Sequence, residues 1–368
     1  MMNQQGLRDL REGESFEGVL WLVSGAVRKT KNGDPYWEGT FQDATGSMSG
    51  KLWDSAGGKS GRVAASEPAL KPGGPIRLRA RVDAFQGSTQ LNLQAVWPVE
   101  RGSVDPSLFA PRSRRTTDEM AAEFEGLIRS MQDPDYRALL ESLIADREVF
   151  PLLCAGPAAK AIHHPWVGGL LEHSLSLARG VRALAPNYPG LNVDLLLCGC
   201  FLHDIGKIYE ISSDPGFEYT TDGKLLGHIY MGARLAERLC DGCPGFPEEK
   251  RRHLVHLVLS HQGDRNLGFG SAADPTTPEA IFFHHLDNLD AKLQHCLTAL
   301  EGAEEAGATG EFTSPWNGPI RKSYYRVRPG GGDGSERRKA EPEGPPPQAE
   351  EVERGGDEEE RTPQPRLW

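Results

Sequence analysis

The sequence predicts a multidomain protein: a small all-β barrel, then an all-α domain, then a disordered acidic C-terminal tail. Three observations predict it. Short Val-, Leu- and Trp-rich runs alternate with turn signals up to about residue 100, apolar residues recur at helical spacing after Thr116, and residues 329–368 are dense in Pro, Gly and Glu. The expected boundaries are 1–100 for the barrel, 101–118 for a basic linker, 119–328 for the helical domain and 329–368 for the tail.

The strands follow in order. Phe16 to Val27 forms the first, Asn32-Gly33-Asp34-Pro35 a turn, and Tyr36 to Phe41 the second. Asp43-Ala44-Thr45-Gly46 turns the chain into a third strand, Ser47 to Trp53. Ile76 to Phe85 alternates Ile76, Leu78, Ala80 and Val82 with Arg77, Arg79, Arg81 and Asp83, one apolar face and one charged. After a Gly87-Ser88 turn, Gln90 to Val96 completes five short strands, the count of an OB-like barrel, a common nucleic-acid-binding fold.

Arg28, Lys29 and Lys31 lie beside Tyr36, Trp37 and Phe41. Cations that track phosphates beside aromatics that stack on bases are how single strands are held. The same aromatics also suit a barrel core with the basic residues merely solvated, and for Trp37 taken alone the core is the favoured reading. The net charge is −11, yet the first 115 residues carry more Lys and Arg than Asp and Glu. A basic module on an acidic chain suits a polyanionic partner.

Thr117-Asp118-Glu119 caps a helix running to about Met131, and Asp133-Pro134 starts another through Asp146. Helical stretches are expected at about 167–184, 191–205, 228–240, 247–261 and 278–300, with a loop over 212–226 rich in Ser, Asp and Gly. No apolar run reaches the roughly eighteen residues a membrane helix needs, so no membrane partner is expected. The segment Met1 to Glu14 lacks the apolar core of a signal peptide, which places the protein in the cytoplasm. The six cysteines then read as reduced thiols. Cys240-Asp-Gly-Cys243 has no second pair to complete a zinc site.

Chemistry concentrates in the helical domain, where His173, His203, Asp204, His228, His261 and Asp287 all fall on or beside predicted helices. A lone helical His is usually a packed core residue. Here the His203-Asp204 doublet follows the apolar run Cys198-Gly-Cys-Phe-Leu202, where two strongly polar groups are costly to bury without a metal or a partner. Imidazole with carboxylate suits a divalent metal, Mn²⁺ first, with Fe²⁺, Co²⁺ or Zn²⁺ also compatible, as one or two ions. Gly206 is expected to end or kink that helix and leave Lys207 close to the metal.

In order and rough spacing, Gly168-Gly-Leu-Leu-Glu-His173, Leu202-His-Asp-Ile-Gly-Lys207, Leu226-Gly-His228, Leu259-Ser-His261 and Leu286-Asp-Asn-Leu-Asp290 resemble the HD phosphohydrolase superfamily. With the barrel upstream, the chain is more similar still to the YhaM-type 3′→5′ exoribonucleases, which join an N-terminal OB-fold to an HD domain. The resemblance covers about residues 15–328, including Gly310-Glu-Phe-Thr313 and Ser323-Tyr-Tyr325. It implies that His173, His203, Asp204 and Asp287 hold a first metal, that His228 and His261 hold a second with Asp204 bridging, and that Lys207 meets the scissile phosphate. The family often has two consecutive histidines where this chain has His261-Gln262, which weakens the case for a full two-metal site.

His163 and His164 could contact phosphate or add a ligand, and Arg265 could meet phosphate or sit on a surface loop. His284, three residues before Asp287, could hydrogen-bond behind a ligand, while Asp290 could anchor Lys292 or a helix cap. His253, His256 and His295 read as structural. The expected activity is metal-dependent phosphodiester hydrolysis, as a 3′→5′ exoribonuclease that degrades single-stranded RNA, and single-stranded DNA as a second substrate, to nucleoside monophosphates. The alternatives are an HD phosphohydrolase of small nucleotides or cyclic dinucleotides, and a non-catalytic nucleic-acid-binding protein with a structural metal.

Overall fold

A computed structural model of the protein describes residues 5–54, 61–85, 88–160, 163–268, 270–305, 310–313 and 322–326. The expected acidic tail and Gly87 of one expected turn lie outside the described residues. The chain divides into two compact units, Met1–Thr298 and Ala299–Trp368. In the second, the described chain outside its helical start forms one antiparallel bridge, between Phe312 and Tyr325.

The first unit opens with five strands: β1 (Ser15–Lys29), β2 (Pro35–Asp43), β3 (Gly46–Trp53), β4 (Gly74–Phe85) and β5 (Ser88–Pro98), with a short helix α1 (Arg62–Ser66) between β3 and β4. They close in the order β1-β2-β3-β5-β4, antiparallel except for the β3–β5 pair. This is an OB-like barrel. β1 is long enough to pair with both β2 and β4, and its ladder to β2 shifts register between Leu22 and Ser24, which bends the strand around the barrel. The β4 alternation is realised. Ile76, Leu78, Ala80 and Val82 are buried, and the intervening arginines face outward.

Trp37 and Phe41, weighed between base stacking and the barrel core, belong to the core, and Trp37 is only 2% exposed. Its indole lies over the paired Gly25 and Gly39, where a Cβ would come within 2.1 and 2.2 Å of the ring. Two facing glycines therefore form the slot that takes the indole inside. The neighbouring Tyr36 points the other way, as strand alternation requires.

After the barrel, residues 101–115 touch both neighbours. Phe109 packs on the barrel, where Gln42 Nε2 donates to its carbonyl (3.2 Å), while Ala110 is buried with Ile211 and Phe217 of the helical part and Arg101 pairs with Asp214 there. The helices are α2 (Thr117–Arg129), α3 (Pro134–Ala145), α4 (Val149–Ala155), α5 (Gly169–Leu184), α6 (Val193–Leu202), α7 (Lys207–Glu210), α8 (Thr221–Asp241), α9 (Glu248–Ser260) and α10 (Pro278–Glu305). Their starts follow the sequence signals: a Thr116/Glu119 capping box for α2, and Asp133 with Pro134 at the first helical position for α3.

The stretch expected to be a loop over 212–226 is partly helix, because Thr220 caps α8 by accepting from Gly223 N and starts it at Thr221. Glycines in that stretch disguised it. Gly227, at φ 73°, interrupts the helical backbone one residue before His228. Within the core shared by α5, α6, α9 and α10, Leu171, Leu175, Leu197, Phe201, Leu257 and Phe283 are fully shielded, and the functional cluster lies against it.

Candidate metal centre

His203 keeps helical backbone angles and donates its N–H to the Gly199 carbonyl (2.9 Å). The chain then tightens to bonds three residues back, Lys207 N to the Asp204 carbonyl (2.9 Å) among them, and both members of the polar doublet are buried. His203 caps α6, and the next three residues form a tight turn into α7. His173 (α5), His203, Asp204, Lys207 (α7), His228 (α8), His261 and Asp287 (α10) then converge, although they are spread over 115 residues of chain from His173 to Asp287. His173 Nε2 is 3.3 Å from His203 Nε2 and 3.2 Å from Asp287 Oδ1. Asp204 lies between two groups. Its Oδ2 is 3.2 Å from His203 Nε2, and its Oδ1 is 3.5 Å from His228 Nε2 and 3.6 Å from His261 Nε2.

The histidines share one orientation rule. Nδ1 of His173 bonds to Asp290 Oδ2 (2.8 Å), that of His203 to the Gly199 carbonyl (3.1 Å), that of His228 to Glu210 Oε1 (3.0 Å) and that of His261 to the Val258 carbonyl (2.7 Å). With Nδ1 donating outward, each ring turns its Nε2 lone pair inward, as anchored metal ligands do. Asp204 Oδ1 is buried and accepts no hydrogen bond among the described residues. Two triads, His173 with His203 and Asp287, and Asp204 with His228 and His261, each bring their donor atoms within ligand reach of one another, and each fits a divalent cation by the chemistry of its donors.

The electrostatics show how strongly the centre draws positive charge. Burial opposes a charge on His173, yet its bonds to Asp287 and Asp290 outweigh burial and raise its pKa to about 9, so without a metal the ring holds a proton that an incoming cation would replace. Burial alone would raise the Asp204 carboxyl, but the Lys207 charge and His203 hold it well below the usual range. Lys207 Nζ sits 2.6 Å from Asp204 Oδ2, and despite burial that partner keeps the ammonium above its ordinary pKa. Lys207 is therefore a fixed positive charge at the edge of the centre.

Of the other expected residues, His163 and His164 lie beside His173, with ring centroids 5.3 and 5.7 Å away; His163 comes within ligand reach of His173 and Asp204, whereas His164 groups with His173 and Asp290. Burial pushes the His163 pKa down to about 3, so its ring is neutral. His164 adopts a left-handed φ of 44°, and its ring nitrogens are each 3.5 Å from a carboxylate oxygen, of Glu172 and of Asp290. His284 Nδ1 bonds to the backbone carbonyl of His261 (3.0 Å), rather than standing behind Asp287. Arg265 is not presented as a phosphate contact. It is exposed and tied to Asp274 through its backbone N (2.8 Å) and its guanidinium (3.1 Å).

Two carboxylates escaped the sequence reading. Glu210 receives both the backbone N and the Nδ1 of His228 on one oxygen (3.0 Å each). Asp290, expected to anchor Lys292 or a cap, instead accepts from His173 Nδ1 and, at 2.5 Å, from Ser176 Oγ. For Glu210 the available signal was its place three residues after Lys207, on the motif's own short helix.

Gly206 lets α7 meet α8 without a side chain between them, since a Cβ there would fall 2.1 Å from the His228 carbonyl and 2.6 Å from Gly232 N. Both neighbours are backbone and cannot swing away. Gly206→Ala should destabilise the fold by about 2 kcal/mol, within the range for overpacking. A thermal melt unchanged from the parent would refute the close contact.

On the barrel, Arg28, Tyr36 and Trp53 form one cross-strand row, with the Tyr36 and Trp53 rings stacked at 4.8 Å. Trp53 is 38% exposed, and Lys51 Nζ lies 5.7 Å from its ring centroid. Arg28, Lys29 and Lys31 are exposed beside this row, which replaces the Trp37–Phe41 pair as the outward aromatic surface.

A family model for the HD domain matches residues 170–292. Over 329 residues the chain is 31% identical to the 3′-5′ exoribonuclease YhaM of Geobacillus sp. (strain WCH70), covering 88% of this chain and 95% of that protein. The 3′-5′ exoribonuclease YhaM of Bacillus subtilis (strain 168) is 30% identical over 315 residues, 85% of this chain and 95% of its own. Among solved structures, the second OB-fold domain of replication protein A from Methanococcus maripaludis covers 26% of this chain and 94% of that domain. It is 16% identical with a TM-score of 0.20, too low to bear on what this barrel binds.

Proposed function

The chain belongs to the family of the YhaM 3′-5′ exoribonucleases, and on that premise we propose that it shortens single-stranded RNA from the 3′ end, one nucleoside monophosphate at a time, at the centre around Asp204. The observation that supports this most is the set of four Nε2 lone pairs turned onto one shared carboxylate. In this reading His173, His203, Asp204 and Asp287 hold a first divalent ion, and His228 and His261 hold a second with Asp204 between them. Mn²⁺ is the ion we favour, because mixed imidazole and carboxylate donors suit it.

When bound, such an ion lowers the pKa of a water and polarises a phosphate oxygen. The chain's own residues supply the rest. Lys207, held charged beside Asp204, meets a non-bridging oxygen of the last phosphodiester and offsets the charge that builds there. Water adds to that phosphorus and the bond to the preceding 3′ oxygen breaks. A nucleoside 5′-monophosphate leaves, and the strand is one residue shorter. The neutral ring of His163, beside His173, lines the same space and adds no charge.

Upstream, Tyr36 and Trp53 stack on bases while Arg28, Lys29, Lys31 and Lys51 track phosphates. Stacking does not read the 2′-hydroxyl, so single-stranded DNA is part of the reading too. No described helix is long and apolar enough to cross a membrane. A cytoplasmic setting, in which unpaired thiols stay reduced, completes the proposal, as all six cysteines are free.

Incubating uniformly labelled single-stranded RNA with the protein and Mn²⁺, then chromatographing the products, tests it. Nucleoside 5′-monophosphates should accumulate from the earliest times. Oligonucleotides without monophosphates would overturn the exonuclease reading.

A further inference from the structure

We infer that Gln262 makes the cation position framed by Asp204, His228 and His261 weaker than its neighbour, and that it tilts this position toward oxygen-preferring ions such as Mn²⁺ and away from Zn²⁺. The inference rests on the metal-centre reading above. It concerns a residue that the donor set itself does not include.

His228 Nδ1 is committed to Glu210 Oε1 (3.0 Å), which also takes the His228 backbone N, so the ring's lone pair sits on Nε2. At that Nε2, 3.2 Å away, stands the side-chain nitrogen of Gln262. An amide N–H thus already occupies the lone pair that would reach a cation. Turning the amide over would face its carbonyl oxygen against the same lone pair, so the bonding pattern assigns the nitrogen there. The Gln262 Oε1 is left buried without a hydrogen bond among the described residues.

The neighbouring position has no such competitor. His173 Nε2 and His203 Nε2 face each other at 3.3 Å with Asp287 Oδ1 beside them, and among the described residues no amide N–H is directed at either. Two ring nitrogens this close beside a carboxylate share one positive charge, a proton in the absence of metal and a cation in its presence. At the Gln262 position an arriving ion must first displace one hydrogen bond, a penalty on the order of tenfold in affinity.

Displacing it has a second consequence. Rotation about the last torsion of Gln262 removes the N–H and brings round the unpartnered Oε1, a neutral carbonyl donor. Hard ions such as Mn²⁺ and Mg²⁺ accept carbonyl oxygen readily, whereas Zn²⁺ gains more from nitrogen or sulfur. Two imidazoles, a carboxylate oxygen and an amide oxygen together therefore favour Mn²⁺ here.

Titration of the full-length protein with Mn²⁺, and separately with Zn²⁺, by calorimetry tests this, with Mn²⁺ electron paramagnetic resonance reporting ion pairs. The wild type should bind one Mn²⁺ tightly and a second at least about tenfold more weakly. Gln262→Glu, which keeps the oxygen and loses the N–H, should tighten the second Mn²⁺ about tenfold. Gln262→His should instead tighten the second Zn²⁺ by a similar factor. Two equal Mn²⁺ sites in the wild type, or wild-type constants in both variants, would overturn the role of Gln262. No Mn²⁺ binding at all would instead sink the metal-centre reading, a different outcome from equal sites.

Discussion

Asp204→Asn should lower kcat by at least about 10³-fold while changing the affinity for single-stranded RNA by no more than about twofold. One carboxylate faces both donor groups, with Oδ2 3.2 Å from His203 Nε2 and Oδ1 within 3.6 Å of His228 and His261. Asparagine removes the charge and turns one of those oxygens into an N–H donor, which repels a cation. Losing several kcal/mol of charge stabilisation at the reacting phosphate corresponds to three or more factors of ten in rate. The substitution also leaves the buried Lys207 ammonium without its 2.6 Å partner. A circular dichroism melt is therefore run beside single-turnover kinetics and filter binding. Retained turnover in a folded variant would remove Asp204 from the mechanism.

Trp37→Ala should cost about 3–5 kcal/mol of stability, the usual range for emptying a buried tryptophan site. Its indole fills the slot over Gly25 and Gly39 and meets Phe41 at 5.7 Å between ring centroids, so neither glycine carries side-chain atoms that could refill the space. In a melt this corresponds to a Tm lower by roughly 10 °C. Trp53→Ala is the matched control on the opposite face. It should leave the melt within about 0.5 kcal/mol of the parent but raise the Kd for single-stranded RNA about tenfold or more, the worth of one lost stacking surface. If instead Trp37→Ala kept its stability and lost RNA affinity, the assignment of inner and outer aromatics would be reversed.

That pair of residues shows what a sequence can convey. Alternation along β2 makes Tyr36 and Trp37 face opposite ways, but both are aromatic, and nothing local says which one is inside. Closure of the barrel decides it, because only there does the Gly25–Gly39 pair stand opposite an indole. The basic and apolar faces of β4 needed no such help, as Arg and Ile differ enough to declare their sides.

The metal centre divides in the same way. The candidate residues His173, His203, Asp204, His228, His261 and Asp287 were legible as an ordered set of motifs, since each motif is a short run with its own local signature. The carboxylates that aim two of the rings were not legible. Glu210 lies 18 residues from His228, and Asp290 lies 117 from His173. In sequence, Asp287 and Asp290 are near twins, one helical turn apart. In the fold, the first meets the Nε2 side of His173 and the second its Nδ1 side.

By itself, then, the sequence determined the two architectures, their order along the chain and the residue types of the centre. All of these are written in periodicity, caps and short motifs, which depend on near neighbours. The tertiary structure alone decided which aromatic faces solvent, which carboxylate stands behind which imidazole and what occupies the lone pair of His228. Those are matters of direction between residues far apart in the chain, and direction exists only once the helices have packed.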